Sequence, residues 1–407
     1  MNRKKGYAMY YLRRTWAEID LDAIENNLEE IRRLTAGKRI IAVIKADAYG
    51  HGASIIARLY NRLGVNAFAV SNIDEARALR ADDIKGDILI LGYTPPEMAF
   101  DLYEGHITQT VTDYAAAERL SANALKAGVK IPVHVKIDSG MSRLGIVVRD
   151  EGDIPGAVEE IRKISALSGV QITGCFTHFS SADGETSPQS QDYAFTKRQF
   201  DLFSATVNAA EAEGIRMGTR HCSNSAAIIN YPEFGLDAVR PGVILYGYYP
   251  DSRVESPLGC KLKLRPAMTL KTSVSQVKTL PRGSVVSYGR DFEANQDMQV
   301  AVTAIGYADG YVRKNAQGGV MTIKGKHAPI VGRICMDMCM LDVTGRDDVH
   351  EGDEVVVFGK GGVTLEEAAR VSGTINYELT CIVGKRVPRV FIKNGELQYT
   401  QNLFLHT

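Results

Sequence analysis

The sequence predicts an α/β protein in which an N-terminal (β/α)8 barrel precedes a C-terminal, mostly-β domain. Strand and helix patterns alternate over roughly the first 250 residues and give about eight strand positions, which is the rhythm of a (β/α)8 barrel. Beyond that point, alternating apolar runs punctuated by Gly and Pro replace the helical patterns. A doubly wound sheet is the alternative for the first part, although no Gly-x-Gly-x-x-Gly turn follows its first strand. We place the domains at 1–255, with an N-terminal extension of about 1–12, and at 256–407.

The elements of the predicted barrel follow one another at short intervals. Asp20 precedes an apolar stripe at helical spacing from Leu21 to Leu34, so we expect it to cap a helix. Apolar runs bounded by turn residues predict strands, at 40–44, 67–70, 87–91, 107–111, 133–137 and 172–176. Amphipathic patterns predict helices at 53–63, 74–80, 96–103, 114–126, 157–167 and 195–212. Two shorter strand–helix units are predicted at 221–229 and 238–246.

The second domain has the period-two patterns of strands and a single helical stretch. Its strands are predicted at 269–279, 284–288, 298–305, 320–323, 330–341 and 354–358. The helix is predicted at 365–372. Such a composition is typical of a mostly-β domain of about 150 residues.

Composition and charge exclude several classes of protein. The 407 residues include 48 Lys+Arg and 48 Asp+Glu, which argues against nucleic-acid or membrane-surface binding driven by net charge. No apolar run approaches the length of a membrane span, and no apolar stretch of a secretory signal follows the basic N-terminus. Six scattered cysteines indicate a reducing cytoplasm rather than a disulfide framework. Cys335 and Cys339 lack a second pair at zinc spacing, so no metal site is expected.

Lys45 is the most informative single residue, because it ends an apolar strand and a glycine-punctuated loop follows it at once. Burying an ammonium is costly, and the amine escapes that cost by losing its charge. A neutral lysine amine is a nucleophile toward aldehydes. Lys45 is therefore a candidate for covalent attachment of an aldehyde cofactor, and the alternative is an amine at a strand end that lies in solvent.

Other polar residues cluster at the predicted strand ends, where barrels place their functional groups. The set includes a flat aromatic His, several basic side chains and a phosphate-type loop, and its members are Tyr49, Lys136, Arg143, His178, 221–225 and 240–242. Pyridoxal phosphate (PLP) needs a lysine for its aldehyde, a partner for its ring nitrogen and a phosphate site. The set indicates PLP as the cofactor.

The chain resembles the alanine racemase family, the fold-type III PLP enzymes, over nearly its whole length. The matching segments occur in order in both domains, at 43–52, 136–144, 176–179, 221–225, 240–242, 286–289, 306–310 and 332–337. The resemblance implies an isomerase that interconverts L-alanine and D-alanine, for the supply of a peptidoglycan precursor. It also implies a cytoplasmic homodimer with shared active sites, without nucleic-acid or membrane partners.

By this resemblance, Lys45 carries PLP and is also a base on one face of the substrate. Tyr288 matches the second base, on the opposite face, and comes from the other subunit. Two bases are the simple solution, because racemisation removes the α-proton on one side and returns it on the other. A tyrosine of ordinary pKa, about 10, is a poor base at neutral pH, so its pKa must be depressed or a proton relay must assist it. The alternative for Tyr288 is an aromatic side chain packed on a strand face.

Arg240 matches the residue that faces the pyridine nitrogen, which stays unprotonated because arginine keeps its own protons. The resemblance implies that His221 braces Arg240 and that His178 stacks on the ring. The alternative for Arg240 is a surface ion pair. Arg143 matches the residue that contacts the phenolic oxygen of PLP and the substrate carboxylate. Lys136 is either carbamylated, so that it holds Arg143 through a charge-assisted pair, or an ammonium bonded to Asp138 or another carboxylate.

The resemblance also assigns a phosphate site and a substrate pocket. The phosphate residues are Tyr49, Asn224, Ser225, Gly242, Val243 and Tyr377. The backbone N–H of Met336 binds the substrate carboxylate, and Tyr307 and Asp337 line the access route. The ring of Tyr377 walls a pocket the size of a methyl group, so alanine is favoured. Weak activity on serine is expected, because one hydroxyl is hard to exclude.

Three other functions are compatible with parts of the sequence. A fold-type III decarboxylase of basic amino acids shares the barrel and PLP, but the segment 221–225 and Tyr288 argue against it. A non-catalytic PLP carrier has a single barrel, and the second domain argues against it. A barrel that binds no cofactor is the third alternative.

Overall fold

The computed structural model describes residues 14–251 and 262–402. They form two compact units. The barrel unit contains Asn26–Ala48 and Ala53–Leu264, and the β unit contains Tyr49–Gly52 with the described parts of 1–25 and 265–407. The predicted extension at 1–12 and the predicted domain boundary at 255/256 lie outside the described residues.

The secondary structure alternates in the barrel unit and is mainly extended in the β unit. In chain order the strands are β1 (Thr15–Asp20), β2 (Arg39–Ile40), β3 (Ala42–Val43), β4 (Ala67–Val70), β5 (Asp87–Ile90), β6 (Ile107–Val111), β7 (Ile131–Asp138), β8 (Ile146–Val147), β9 (Val170–Phe176), β10 (Thr219–His221), β11 (Ala238–Val239), β12 (Met268–Leu280), β13 (Val285–Val286), β14 (Phe292–Glu293), β15 (Met298–Thr303), β16 (Val320–Ile323), β17 (Lys326–Val331), β18 (Cys339–Asp342), β19 (Glu354–Phe358), β20 (Arg389–Lys393) and β21 (Glu396–Gln401).

The α-helices lie mostly between the barrel strands. They are α1 (Leu21–Thr35), α2 (Lys45–Tyr49, a single turn of left-handed geometry), α3 (Ala53–Arg62), α4 (Ile73–Ala81), α5 (Ala99–Glu104), α6 (Tyr114–Lys126), α7 (Ile154–Ser165), α8 (Gln191–Ala212), α9 (Ser225–Asn230), α10 (Leu365–Ser372) and α11 (Asn376–Cys381). Asp20 caps α1 as expected, since its Oδ1 accepts from the Ala23 N–H at 2.9 Å. No helix in the described ranges is long and apolar enough to cross a bilayer.

The barrel unit is a ring of parallel strands, which confirms the predicted fold class. Its sheet runs in the order β3-β4-β5-β6-β7-β9-β10, and β8 pairs with β7. β11 closes the ring, because it pairs with β2, the first half of the leading strand. On its other side, the Asp237 N–H donates to the Arg220 carbonyl at 3.1 Å and the Arg240 N–H to the Ser223 carbonyl at 2.9 Å. The carboxyl ends of all the strands therefore meet at one rim.

The β unit is built on a nine-stranded sheet in the order β15-β18-β17-β16-β19-β12-β1-β20-β21. β12 also pairs with β15, so the first part of the sheet curls back on itself. A small apolar core, made of Val286, Ala294, Met298, Val300 and Val331, lies within it. The sheet thus takes in β1, which precedes the barrel strands in the sequence.

The sequence predictions differ from the structure at several places in the β unit. The predicted strand 330–341 is two strands, β17 and β18, separated by a loop. The loop begins at Gly332, where φ is +69° and a Cβ would lie 2.6 Å from the Val286 carbonyl oxygen. The second helix, α11, was missed. β1, β20 and β21 were also missed, and β1 finds its partners in strands more than 240 residues away, a pairing that local patterns do not reveal.

Candidate active site

The rim of the barrel unit gathers the residues that the sequence analysis singled out. Lys45 follows β3, with Ile44 between them, and Lys136 lies near the carboxyl end of β7. His178 follows β9, His221 ends β10 and Arg240 follows β11. Functional side chains of a barrel are expected at this rim.

Lys45 opens a left-handed helical turn. Ala46, Asp47 and Ala48 have φ of 52–54° and ψ of 48–50°, a region that costs L-residues roughly 1–2 kcal/mol each. Tertiary contacts hold the turn, since the Ala46 N–H donates to Glu75 Oε1 at 2.7 Å and the Ala53 N–H donates to Asp47 Oδ1 at 2.7 Å. Strain held in this way is typical of functional sites, and here it fixes the backbone from which the Lys45 side chain leaves.

The Arg240 guanidinium is buried, and four of its N–H groups are held. Nη1 donates to His221 Nδ1 at 2.7 Å and to the His221 carbonyl at 2.8 Å. Nη2 donates to the carbonyls of Thr177 at 2.8 Å and Cys222 at 3.0 Å, and lies 3.3 Å from His178 Nδ1. Within the described residues, Nε–H has no acceptor. Burial lowers the pKa of Arg240 to about 10, so the group stays charged at neutral pH and offers one free donor. The alternative that Arg240 forms a surface ion pair is therefore wrong.

His178 is a neutral ring surrounded by basic side chains. Burial is the largest cause that holds the pKa of His178 well below its ordinary value. The further causes are, in order, the charges of Arg240, Lys136, Arg143 and Lys45. These four groups therefore converge on one imidazole, and the neutral ring presents a flat face rather than a fifth charge.

Lys136 is buried, and its Nζ has no hydrogen-bond partner in the described parts of the chain. The Nζ lies 4.6 Å from the centre of the Phe176 ring. Burial first, and then Arg240 and Arg143, lower the pKa of Lys136 well below that of a solvent lysine. These three causes favour the neutral form of the amine.

Asp138 does not pair with Lys136, so that part of the sequence prediction is wrong. Its oxygens accept from Arg149 Nη2 at 2.9 Å and from the backbone N–H groups of Gly140 at 3.1 Å and Ser142 at 3.0 Å. The nearest carboxylate is thus already occupied. Arg143 is exposed, close enough for its charge to act on both Lys136 and His178.

A second corner of the rim contains the residues expected at a phosphate. Asn224 caps α9 through an Oδ1 that accepts from the Ala227 N–H at 3.0 Å, and Ser225 follows it. The Gly242 N–H donates to Ser225 Oγ at 2.8 Å. Val243 begins a 3-10 turn, Val243–Tyr246. The Gly242 N–H is thus occupied by a hydroxyl that is itself a predicted phosphate ligand.

The β unit contains the remaining predicted residues, in two groups. The first pairs Tyr49 with Tyr377 on α11, at 6.1 Å between ring centroids. Burial, and then the charge of Cys381, raise the pKa of Tyr49, so its hydroxyl remains a donor. In the second group, Tyr307, Met336 and Tyr288 are 42%, 53% and 69% exposed.

The exposed group is held together by loop contacts. The Tyr307 N–H donates to the Cys335 carbonyl at 3.1 Å, and the Ser287 hydroxyl donates to the Arg333 carbonyl at 2.6 Å. Tyr288 begins a 3-10 turn after β13. It is therefore not packed on a strand face, and that alternative is wrong. The Met336 N–H has no acceptor in the described residues.

Asp337, which the sequence analysis predicted to line the access route, belongs to a charge network. Arg386 donates from Nη2 to Asp337 Oδ1 at 2.6 Å and from Nε to Asp309 Oδ1 at 2.7 Å. Asp309 is fully buried and also accepts from Arg14 Nη1 at 2.9 Å and the Gly306 N–H at 3.0 Å. This network fixes the loop that carries Tyr307.

Sequence reasoning missed three residues that contact the side chains of the rim. Phe176 presents its ring to Lys136, His221 and Arg240, with His221 stacked at 4.9 Å. Arg149 holds Asp138 away from Lys136, and no local pattern pointed to it. His134 hydrogen-bonds His221 at 2.9 Å. Its position two residues before Lys136 on the same strand was a signal, because such residues share a face. No group of three or more His, Cys, Asp or Glu side chains suited to a metal ion occurs within the described ranges.

Comparisons with known proteins match both parts of the chain. The model of the alanine racemase N-terminal domain matches residues 19–250, and that of the C-terminal domain matches residues 267–391. The alanine racemase of Clostridium tetani is 43% identical over 396 residues, which are 96% of this chain and 99% of the relative. That of Clostridium perfringens strain ATCC 13124 is 45% identical over 389 residues, which are 95% and 97% of the two chains.

Solved structures give the same result. An alanine racemase of Clostridium difficile 630 superposes with a TM-score of 0.88 at 40% identity and covers 96% of this chain and 99% of its own. An alanine racemase of Bacillus anthracis with bound L-Ala-P superposes with a TM-score of 0.86 at 32% identity, over 96% and 98% of the two chains. These likenesses extend through both domains.

The left-handed turn at Lys45 gives a test of the stored strain. Ala46→Gly is expected to raise the free energy of unfolding by about 1 kcal/mol, because glycine adopts positive φ without the steric cost. Ala46 is exposed and its N–H contact to Glu75 is kept. The matched control, Ala78→Gly at an exposed position inside α4, is expected to lower it by about 1 kcal/mol. Urea unfolding measures the free energy of unfolding of both variants. If both substitutions lower it, the turn at Lys45 is not strained.

Proposed function

The chain belongs to the alanine racemase family, and from this premise we propose that it interconverts L-alanine and D-alanine with PLP as its cofactor. The observation that carries the proposal is the convergence of Lys45, Lys136, Arg143 and Arg240 on one neutral imidazole. Asp138, the carboxylate whose charge acts on this group, is already bound by Arg149. The site therefore suits an anionic ligand.

The chemistry of the side chains fits PLP on three further counts. Lys45 supplies an amine at a strained strand end, the type of group that accepts an aldehyde. The Nε–H of Arg240 is the donor left over for a ring nitrogen, and the partly buried ring of His178 is the flat surface for a heteroaromatic ring. The predicted phosphate residues offer donors in each unit. Tyr49 and Tyr377 lie in the β unit, and Ser225, with Asn224 and Val243, lies in the barrel unit, where the Gly242 N–H positions the Ser225 hydroxyl. When bound, PLP withdraws electrons from the substrate and acidifies its α-proton.

Arg240 sets the character of the cofactor's ring nitrogen. With a pKa of about 10 the guanidinium keeps its proton at neutral pH, so it donates a hydrogen bond and gives up no proton. A ring nitrogen that stays unprotonated is a weaker electron sink. We infer that this arrangement limits side reactions and favours simple return of the proton.

The two faces of the α-carbon need two bases. In the proposal Lys45 acts on one face and the partner's Tyr288 on the other. The exposed cluster of Tyr288, Tyr307 and Met336 supports a homodimer, because exposed apolar groups in one patch mark interaction surfaces. Arg143 and the free Met336 N–H are proposed to hold the substrate carboxylate, and Asp337 is proposed to flank its route.

We propose that Tyr377 limits the size of the substrate side chain. A tyrosine ring at the wall of the pocket leaves room for a methyl group, so alanine is the proposed substrate and serine a weak one. The proposed setting is the cytoplasm, where D-alanine supplies cell-wall synthesis.

Lys136 is proposed to be carbamylated. The neutral amine attacks the carbon of CO2, a C–N bond forms as one C=O π bond opens, and the nitrogen loses one proton to solvent. The product is an anion that offers two oxygens beside the cation Arg143. An orphaned buried amine thereby gains hydrogen-bond partners, which removes a desolvation cost.

A mixing experiment tests the shared site. Lys45→Ala and Tyr288→Ala proteins are each expected to be inactive in conversion of L-alanine to D-alanine with added PLP. Random re-association gives hybrid dimers with one intact site in two, so roughly a quarter of the wild-type activity is expected to return. L-serine, as a comparison substrate, should be converted slowly and L-lysine not at all. Hybrid dimers that form but remain inactive contradict the shared site.

The carbamate is testable by NMR. Protein equilibrated with ¹³C-bicarbonate is expected to show a carbonyl signal that is absent from Lys136→Met, because only a buried neutral amine holds CO2 stably. Lys130→Met, which removes an exposed lysine directly before β7, the strand that contains Lys136, serves as the control and should leave the signal intact. Identical spectra for the wild type and Lys136→Met contradict the modification.

A further inference from the structure

A chain of hydrogen bonds runs inward from Arg240 through two buried histidines. Arg240 Nη1 lies 2.7 Å from His221 Nδ1, and His221 Nε2 lies 2.9 Å from His134 Nδ1. The Phe176 ring stacks on His221 at 4.9 Å with an interplanar angle of 8°. The proposed function uses the first of these contacts and has no role for His134.

The donors and acceptors in this chain have a single consistent order. An arginine has no acceptor, so Nδ1 of His221 must accept the hydrogen bond and carries no proton. A neutral His221 therefore has its proton on Nε2 and donates it to His134 Nδ1. His134 must in turn have its own proton on Nε2. Each ring thus fixes the tautomer of the next one.

The charges around His134 keep this order in place. Burial lowers the pKa of His134 to about 4; Asp87 opposes the shift, and Arg39 and Arg240 add to it. Burial and Arg240 also hold the pKa of His221 far below its ordinary value. A proton on Nδ1 of His134 would face the Nε2–H of His221, and the chain would break. Neutral rings are therefore the only state that satisfies both hydrogen bonds of the chain.

The surroundings of His134 fit a side chain that is held in one orientation. A Cβ at Gly174, on the neighbouring β9, would lie 2.5 Å from His134 Nε2, so only glycine leaves room for the ring. His134 also lines a cavity of about 390 Å³ at the amino ends of the strands. The polar residues of that cavity are Arg39, Asp87, His106, Thr108, Lys130, Thr173 and Thr219.

We propose that His134 is a positioning residue that fixes the tautomer of His221 and thereby aims the free Nε–H of Arg240 at the ring nitrogen of the cofactor. The identity of that cofactor rests on the proposed function, whereas the order of protons in the chain does not. His134 contacts neither substrate nor cofactor in this proposal. Its effect reaches the reaction only through the orientation and charge of Arg240.

A matched pair of substitutions separates positioning from packing. Asparagine places its Oδ1 where Nδ1 of histidine lies, so His134→Asn keeps an acceptor for His221. Leucine has nearly the same shape without an acceptor, so His134→Leu leaves the His221 Nε2–H unpaired. Both variants remove the same part of the ring. His106→Leu, at an exposed position that lines the same cavity, is the control.

The first measurement is the tautomer of His221, by ¹⁵N NMR of histidine-labelled protein with the cofactor bound and after its removal. We expect the Nε2–H form of His221 in the wild type, His134→Asn and His106→Leu, and a mixture of tautomers in His134→Leu. The Nδ1–H form of His221 in the wild type overturns the proposal. This measurement needs no variant, so the test stands even if a variant fails to fold.

The second measurement is steady-state kinetics. His134→Leu is expected to lower kcat by roughly tenfold with KM unchanged, as is typical of lost support behind an active residue, and His134→Asn is expected to restore most of it. Equal losses in both variants assign a packing role and overturn the proposal. A protein that is inactive on alanine yet has the expected His221 tautomer overturns the proposed function alone.

Discussion

Positive charge at the carboxyl ends of the barrel strands is the constraint on which the rest of the site depends. The barrel brings four basic side chains from three strand ends to one imidazole, because Lys136 and Arg143 both belong to the end of β7. Because the strands are parallel, these side chains lie at one rim, and their positive charges repel one another. The structure lowers that repulsion in two ways, because His178 and Lys136 are held neutral by burial and by their neighbours. The positive charge that remains at the rim suits an anionic ligand, which would offset it.

Arg240 links this charge to the closure of the barrel. It follows β11, the strand that joins the two ends of the ring, and its guanidinium binds the carbonyls of Thr177, His221 and Cys222 from the two preceding strand ends. The same contacts that seal the barrel therefore aim the side chain. A carboxylate in this position could not make these bonds, since carbonyl oxygens accept and do not donate. Fold and chemistry thus require the same residue.

Much of the barrel and its rim could be predicted from the sequence, because both depend on local pattern. β6 and α6 begin and end where the periodicity predicted, and Lys45, His178 and Arg240 were recognised by their place at strand ends. The β unit was harder. β1 pairs with β12 and β20 across more than 240 residues, and the strand predicted at 330–341 is broken by the positive φ of Gly332. Local pattern could not identify Arg149 either, because its effect on Lys136 is indirect. Arg149 binds Asp138, and Lys136 is left without a hydrogen-bond partner. The matches to both alanine racemase domains then favoured the racemase over the single-barrel carrier and the decarboxylase.

Two amines are candidates for the bond to the cofactor, because the charges of Lys45 and Lys136 both act on His178 and burial favours the neutral, nucleophilic form of Lys136. The most direct test is to load the protein with PLP, reduce it with borohydride to make the link to lysine permanent, and map the labelled peptide by mass spectrometry. The account predicts one label for each chain, on Lys45. A label on Lys136, or no label on either lysine, would contradict it.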